Sequence, residues 1–309
     1  MVTDSVINAI GDTPLIKLEK IMHEYHLSFN LYAKLERNNP SGSVKDRAAY
    51  QIIKDGVEQN KINEETIIIE ATSGNMGISL SMIAAALGIK CIICMPENAS
   101  KERILMMKAY GSEVILTPAK DGMMGSVKKA EDLGRKYKNS FLAHQFENES
   151  NVKAHFETTS WEILKDLNGK IDVFIAGVGT SGTLIGNAKR FKEFNENVEI
   201  IGVEPYSSPL LNRGISGAHL IQGLGPNFLP KIYDKSLVTR VIDIKNEEAY
   251  EGTRLLAKKE GLLCGISSGA ALKAALTLNS NNYKDKNVVI ILPDNGERYL
   301  SVENLYEWK

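Results

Sequence analysis

Short β-branched runs alternate with longer stretches of helical spacing almost from end to end of the chain. Strands are predicted at 66–70, 90–95, 113–117, 172–176, 199–203, 238–244 and 287–292. Between them, 101–110 carries Ile104, Leu105 and Met107 on the spacing of a packing helix, and 247–259 is amphipathic in the same way. Such alternation is the signature of an α/β fold whose mostly parallel sheets are covered by helices on both faces. The polar segment His144-Gln145-Phe146-Glu147-Asn148-Glu149-Ser150-Asn151 separates two strand–helix series. A boundary between two lobes is therefore expected near 143–151.

At 309 residues, with 43% apolar and 24% charged side chains, the chain has the balance of an ordinary globular protein with a large core. Lysine and arginine are scattered and the net charge is −1, so no basic stripe exists to neutralise a nucleic-acid backbone or an anionic membrane. No basic and then apolar leader opens the sequence, and no run reaches the roughly 18 apolar residues of a membrane span, which points to a cytoplasmic protein. Cys91, Cys94 and Cys264 are too few for a disulfide framework. Cys91 and Cys94 sit in an apolar run that puts their thiols on opposite faces of a buried strand, where core filling is favoured over redox or metal chemistry. His23, His26, His144, His155 and His219 form no metal-spaced cluster, and no metal is expected.

Parallel sheets gather their chemistry at the carboxyl ends of strands, where a turn feeds a helix whose free N–H groups face outward. One such turn is Ala71-Thr72-Ser73-Gly74-Asn75-Met76-Gly77, a donor-rich cup for a small anion such as a carboxylate, although Ser and Thr are also ordinary helix caps. Another is Gly177-Val178-Gly179-Thr180-Ser181-Gly182-Thr183, whose glycines permit close backbone approach and whose hydroxyls suit a phosphate monoester. The same stretch satisfies G-x-G-x-x-G, with Glu204 about 20 residues on at the end of the next strand, so a nicotinamide-dependent dehydrogenase is the rival reading. A third feature separates the two. Asn39-Pro40-Ser41-Gly42-Ser43-Val44-Lys45-Asp46-Arg47 is a polar turn delivering a lysine at the start of a helical pattern, where burial and the positive helix end favour the neutral, nucleophilic amine.

The lysine block, the two turns and Gly265-Ile266-Ser267-Ser268-Gly269 occur in the order seen in one family. The chain resembles the cysteine synthases (O-acetylserine sulfhydrylases) and cystathionine β-synthase, fold-type II pyridoxal-phosphate enzymes. The likeness runs from Asp12-Thr13-Pro14-Leu15 to Pro293-Asp294-Asn295-Gly296-Glu297-Arg298-Tyr299-Leu300-Ser301. It implies a Schiff base between pyridoxal 5'-phosphate and Lys45, which also moves the substrate's α-proton. It implies Asn75 at the cofactor's phenolic oxygen, Gly179, Thr180, Ser181, Gly182 and Thr183 around its phosphate, and Ser267 facing its ring nitrogen. Thr72, Ser73, Gly74, Met76, Gln145 and Gly223 are the implied substrate-binding positions. The reaction implied is β-replacement on a serine-type amino acid through an aminoacrylate, in the standard case O-acetyl-L-serine and sulfide giving L-cysteine and acetate. A homodimer, a larger lobe of about 1–38 with 146–309, a smaller, mobile lobe of about 39–145 that closes, and in some members a serine acetyltransferase partner belong to the same expectation.

Three departures from the family pattern bear on substrate choice. Met76 stands where a threonine is usual, Ala71 replaces a proline, and Gly225-Pro226-Asn227-Phe228 replaces a smaller pair on the loop bordering the second-substrate pocket. A donor other than O-acetylserine, such as cysteine with release of sulfide or serine in a cystathionine β-synthase-like reaction, is the alternative within the family. A catalytically silent relative is disfavoured because the positions that carry cofactor chemistry are intact. The chain leaves no room for a regulatory domain pair after Lys309 and has no heme-binding extension at its start, so control by adenosyl ligands is not expected.

Overall fold

In the computed structural model, which describes residues 2–307, strands β1 (Leu15–Lys17) and β2 (Asn30–Leu35) precede β3 (Ile67–Ala71), β4 (Lys90–Pro96), β5 (Glu113–Thr117) and β6 (Ser140–Leu142). After these come β7 (Val173–Gly177), β8 (Glu199–Pro205), β9 (Arg240–Ile244) and β10 (Asn287–Leu292). The residues up to Ile10 and Asn39–Ala154 form one compact unit, built on a sheet of order β5-β4-β3-β6 that is parallel throughout. Gly11–Asn38 and the residues from His155 onward form the other, on a sheet of order β1-β2-β10-β7-β8-β9 in which only the edge strand β1 runs antiparallel.

Continuous apolar runs become strands because each sheet is covered on both faces and alternate residues fill different cores. On β7, Val173 and Ile175 enter one cluster while Phe174 and Ala176 enter the other, and on β10 Val288 and Ile290 are likewise separated from Val289 and Ile291. In the smaller unit Cys91, Ile93 and Met95 pack on one face of β4, with Ile92 and Cys94 on the opposite face. The two thiols of the C-x-x-C pair are thus free, buried and divided by the sheet. Burial pushes both up to about 11, which keeps them protonated and inert near neutrality. No helix is long and apolar enough to cross a membrane among the described residues, and none of these residues form a metal-binding group of His, Cys, Asp or Glu.

The β1, β2 and β6 strands do not appear among the sequence predictions, and β2 shows why. Its run is broken by Lys34, a side chain with no exposure at all. A buried ammonium is tolerated only when its donors are satisfied, and Lys34 donates to the Thr13 carbonyl at 2.6 Å and to Glu162 Oε2 at 2.8 Å. Glu162 in turn accepts from the backbone N–H groups of Asp12 and Thr13, while the Thr13 hydroxyl donates to Glu36. The Asp12-Thr13-Pro14-Leu15 motif is thereby assigned a structural task, docking the β1 edge onto β2.

Division of the chain differs from the expected 1–38, 39–145 and 146–309. Residues up to Ile10 go with the smaller unit because Ile7 is buried in a cluster with Ala49, Ile52 and Ile83. The helix Ser150–Ala154 joins the same unit through Asp55, which accepts from Ser150 Oγ at 2.6 Å and from Lys153 Nζ at 2.7 Å.

Candidate active site

Lys45 is the first residue of the helix Lys45–Glu58 and is half-buried. The turn before it is set by Gly42, whose φ of 84° is open mainly to glycine, and by Gly42 N donating to the Asn39 carbonyl at 2.7 Å. Asp46 locks this turn. Its fully buried carboxylate accepts from Ser41 N at 2.7 Å, from the Ser41 hydroxyl, and from Ser79 Oγ at 2.5 Å on the neighbouring helix Asn75–Leu87. The backbone that carries Lys45 is therefore held by charge-assisted hydrogen bonds to the Asp46 carboxylate.

In the same unit β3 ends in the second turn of interest. Thr72 N donates to the Cys94 carbonyl at 3.0 Å, and Thr72 Oγ1 accepts from Gly74 N at 3.1 Å. Arg103 Nη1 holds the Ser73 carbonyl at 3.1 Å, and Asn75 opens the next helix. Thr72, Ser73, Gly74 and Asn75 thus lie together at a strand end and a helix N-terminus, the arrangement that favours an anion. Met76 does not join them. Its side chain is 1% exposed and packs among the apolar residues of this unit. The periodicity of helix Asn75–Leu87 turns position 76 inward.

Gln145 is also in this unit and is 4% exposed. Its carbonyl accepts from Asn151 Nδ2 at 2.8 Å, and its side-chain Nε2 donates to Glu70 Oε1 at 3.0 Å. Glu70 Oε2 accepts from His144 N at 3.0 Å. Burial pushes the Glu70 carboxyl up to about 7, against the opposing pull of the hydrogen bonds from Gln145 and His144. A raised carboxyl favours the folded state only while protonated, so its contribution is intact below the ordinary 4.5 and is lost as pH rises through 7. Unfolding free energy is expected to fall by about 3 kcal/mol between those two pH values relative to a Glu70→Gln protein. Parallel denaturant titrations of both proteins across that range check this.

In the larger unit β7 leads into Val178-Gly179-Thr180-Ser181 and the helix Gly182–Phe194. Ser181 takes φ 76°, the left-handed conformation, which turns the chain sharply into the helix. Its Oγ is buried and has no hydrogen-bond partner among the described residues. Thr180 is buried beside it, and Thr183 Oγ1 lies 3.2 Å from His155 Nε2. A Cβ on Gly179 would overlap the carbonyl oxygen of Gly223, which itself has φ 90°. Helix N–H groups, an orphaned buried hydroxyl and a turn too tight for any side chain make this a cradle that fits a phosphate monoester. The dinucleotide reading fails at Glu204. Its side chain is buried, and its two oxygens face into the protein, accepting from Leu211 N at 2.8 Å and Asn212 N at 3.0 Å.

Ser267 is buried in the first turn of the helix Ile266–Leu276. Gly265 caps that helix and donates to the Asp294 carbonyl at 3.0 Å, while Asp294 Oδ2 accepts from Tyr299 Oη at 2.6 Å. No Cβ fits at Gly265, because Asp294 and the Tyr299 ring occupy its place. Asp294 thus supports the turn that presents Ser267.

Sequence reasoning passed over Asp46, Glu70 and His155. Glu70 left the clearest signal, a carboxylate closing an otherwise apolar strand covered on both faces. The chain matches the family model described as "Pyridoxal-phosphate dependent enzyme" over residues 6–294. It is 48% identical over 302 residues to "Cysteine synthase B" of Campylobacter jejuni, covering 98% of each chain. Among solved structures, the cysteine synthase of Entamoeba histolytica superposes with a TM-score of 0.96 at 39% identity, covering 100% of this chain and 92% of that one. A hydrogen sulfide-producing enzyme of Fusobacterium nucleatum superposes at 0.92 with 46% identity, covering 97% of this chain and 100% of that one. With a lysine at a locked helix start, a phosphate cradle and full-length likeness all in agreement, the chain belongs to the pyridoxal-phosphate-dependent enzymes of the cysteine synthase family and is a β-replacing enzyme.

Proposed function

We propose that this enzyme makes L-cysteine from O-acetyl-L-serine and sulfide, releasing acetate. The observation that carries the reading is the likeness to a cysteine synthase along 98% of both chains. When bound, pyridoxal phosphate supplies an electron sink at the substrate's α-carbon, which allows the β-substituent to leave. Lys45 would hold the cofactor's aldehyde, and the same amine would take and return the α-proton. Thr180, Ser181 and Thr183, with the N–H groups of Gly179 and Gly182, hold the phosphate. Asn75 donates to the phenolic oxygen. Ser267 offers the ring nitrogen a neutral hydroxyl, which cannot hold that nitrogen protonated as a carboxylate would, and so elimination is favoured over transamination. Thr72, Ser73, Gly74 and Gln145 bind the substrate carboxylate, and Gly223 borders the substrate. The protein acts in the cytoplasm as a homodimer, and a serine acetyltransferase is the partner to test.

A second reading has specific support. The hydrogen sulfide-producing enzyme of F. nucleatum is 46% identical, and Pro226, Asn227 and Phe228 enlarge a loop whose Asn227 and Phe228 are exposed. Under that reading cysteine is the donor and sulfide the product. One experiment separates the two. Steady-state rates are compared for O-acetylserine with sulfide, O-phosphoserine with sulfide, serine with homocysteine, and cysteine alone, with the visible spectrum followed before and after O-acetylserine is added. Cysteine synthesis predicts a spectral change with O-acetylserine and the highest kcat/KM with that donor. A higher kcat/KM for sulfide release from cysteine overturns it in favour of the second reading, and a protein colourless with added cofactor overturns both.

A further inference from the structure

The amide of Gln145 has two chemically different ends that fit the same space, one a donor and one an acceptor. Only the donor end can bind a carboxylate. Something in the protein must therefore decide which way the amide points, and the group that faces it is Glu70. Ionised, Glu70 can only accept, so the end of the Gln145 side chain turned toward Oε1, 3.0 Å away, must be its NH2. That NH2 has two hydrogens and Glu70 takes one, which leaves the other for a ligand. The rest of the turn is held on the same carboxylate. Glu70 Oε2 accepts from His144 N at 3.0 Å, and His144 has φ 48°, a conformation that needs such support. From the other side Asn151 Nδ2 holds the Gln145 carbonyl at 2.8 Å. Glu70 is the penultimate residue of β3, one before Ala71 and two before Thr72, so the strand that leads into the carboxylate loop also supplies the group that aims Gln145.

We propose that Glu70 is a positioning residue for the reaction, fixing the Gln145 amide with its N–H side toward the substrate α-carboxylate. This rests on the reading that Gln145 binds that carboxylate. A glutamine at position 70 would preserve shape but bring one acceptor and one donor against protein groups that all donate. The amide of Gln145 is then free to flip.

The test uses the holoenzyme at pH 8 and four proteins, the wild type, Glu70→Gln, Gln145→Ala and the double variant. For Glu70→Gln the KM for O-acetylserine is expected to rise roughly tenfold, by a larger factor than kcat falls, with the KM for sulfide unmoved. Direct binding, followed by calorimetry, is measured with L-serine and with ethanolamine, which is serine without its carboxylate. The Glu70→Gln protein should lose affinity for L-serine and keep its affinity for ethanolamine, and the loss should vanish when Gln145 is already alanine. Equal loss for both ligands would mark a general structural role and overturn the proposal. So would a Glu70→Gln loss that persists undiminished without Gln145. If Gln145→Ala weakens L-serine while Glu70→Gln does not, Glu70 has no such role and the carboxylate site stands. If Gln145→Ala changes nothing, the assignment of Gln145 falls and the proposal with it. Should Glu70→Gln fail to fold, Glu70→Ala measured on the same ligand pair separates a selective loss of L-serine from an equal loss of both ligands.

Discussion

Replacing Lys45 with alanine lowers turnover by at least about a thousandfold and leaves a folded protein. The size follows from two losses at one atom, the covalent hold on the cofactor and the proton transfer at the α-carbon, the second alone worth roughly 10² to 10⁴. The protein stays folded because the turn around Lys45 is fixed by Asp46, Ser41 and Ser79, whose hydrogen bonds the substitution does not touch. Borohydride gives a readout independent of rate. Reduction of the wild type should leave a pyridoxyl label on the peptide carrying Lys45, found by mass spectrometry, and reduction of the variant should leave none. A Lys45→Ala protein that turns over normally, or a label on another lysine, would end this assignment.

The parts legible in the sequence are those in which local pattern and global fold agree. β5 and β10 were readable to the residue because Glu113–Thr117 and Asn287–Leu292 are apolar-rich runs with polar or turn neighbours. Where the apolar run was interrupted, as by Lys34 in β2, the strand was hidden, since the distant Glu162 and the Thr13 carbonyl make a buried ammonium tolerable there. Site turns were legible for a related reason. Glycines and hydroxyls gather at these strand-to-helix junctions, and the tight approach to the Gly223 carbonyl explains glycine at 179 as the positive φ explains it at 223.

What the sequence hid was direction. Met76 follows Asn75 in the chain at a position the family resemblance places at the substrate, and one step along a helix, a rotation of about 100°, packs its side chain among apolar residues. The G-x-G-x-x-G spacing offered a rival ribose ligand at Glu204, yet that carboxylate is buried and accepts from the N–H groups of Leu211 and Asn212. In both cases spacing along the chain does not tell which contacts are already made. Glu70 is the converse case, a charge whose burial was plain from its strand but whose partner, Gln145, lies 75 residues away.

The phosphate turn offers a pair of substitutions with opposite effects on the cofactor-free protein. Alanine at Gly179 drives a methyl group into the Gly223 carbonyl oxygen, a backbone atom that cannot rotate aside. Retreat is blocked, because Gly225 N is hydrogen-bonded to the Val178 carbonyl at 3.0 Å and ties the Gly223 loop to the turn. Overpacking of this kind costs about 1–3 kcal/mol, and cofactor-free Gly179→Ala should unfold more easily by that amount. Because the cradle is distorted, its pyridoxal-phosphate affinity should fall roughly tenfold or more. Ser181→Ala differs in one respect. The Ser181 hydroxyl has no protein partner among the described residues, so removing it relieves a buried unsatisfied group. Its cofactor-free stability should be equal to or above wild type while its cofactor affinity falls. Thermal unfolding of the stripped proteins and equilibrium dialysis with pyridoxal phosphate distinguish the two. A Ser181→Ala protein that binds the cofactor as tightly as wild type would show that the buried hydroxyl serves some end other than the phosphate.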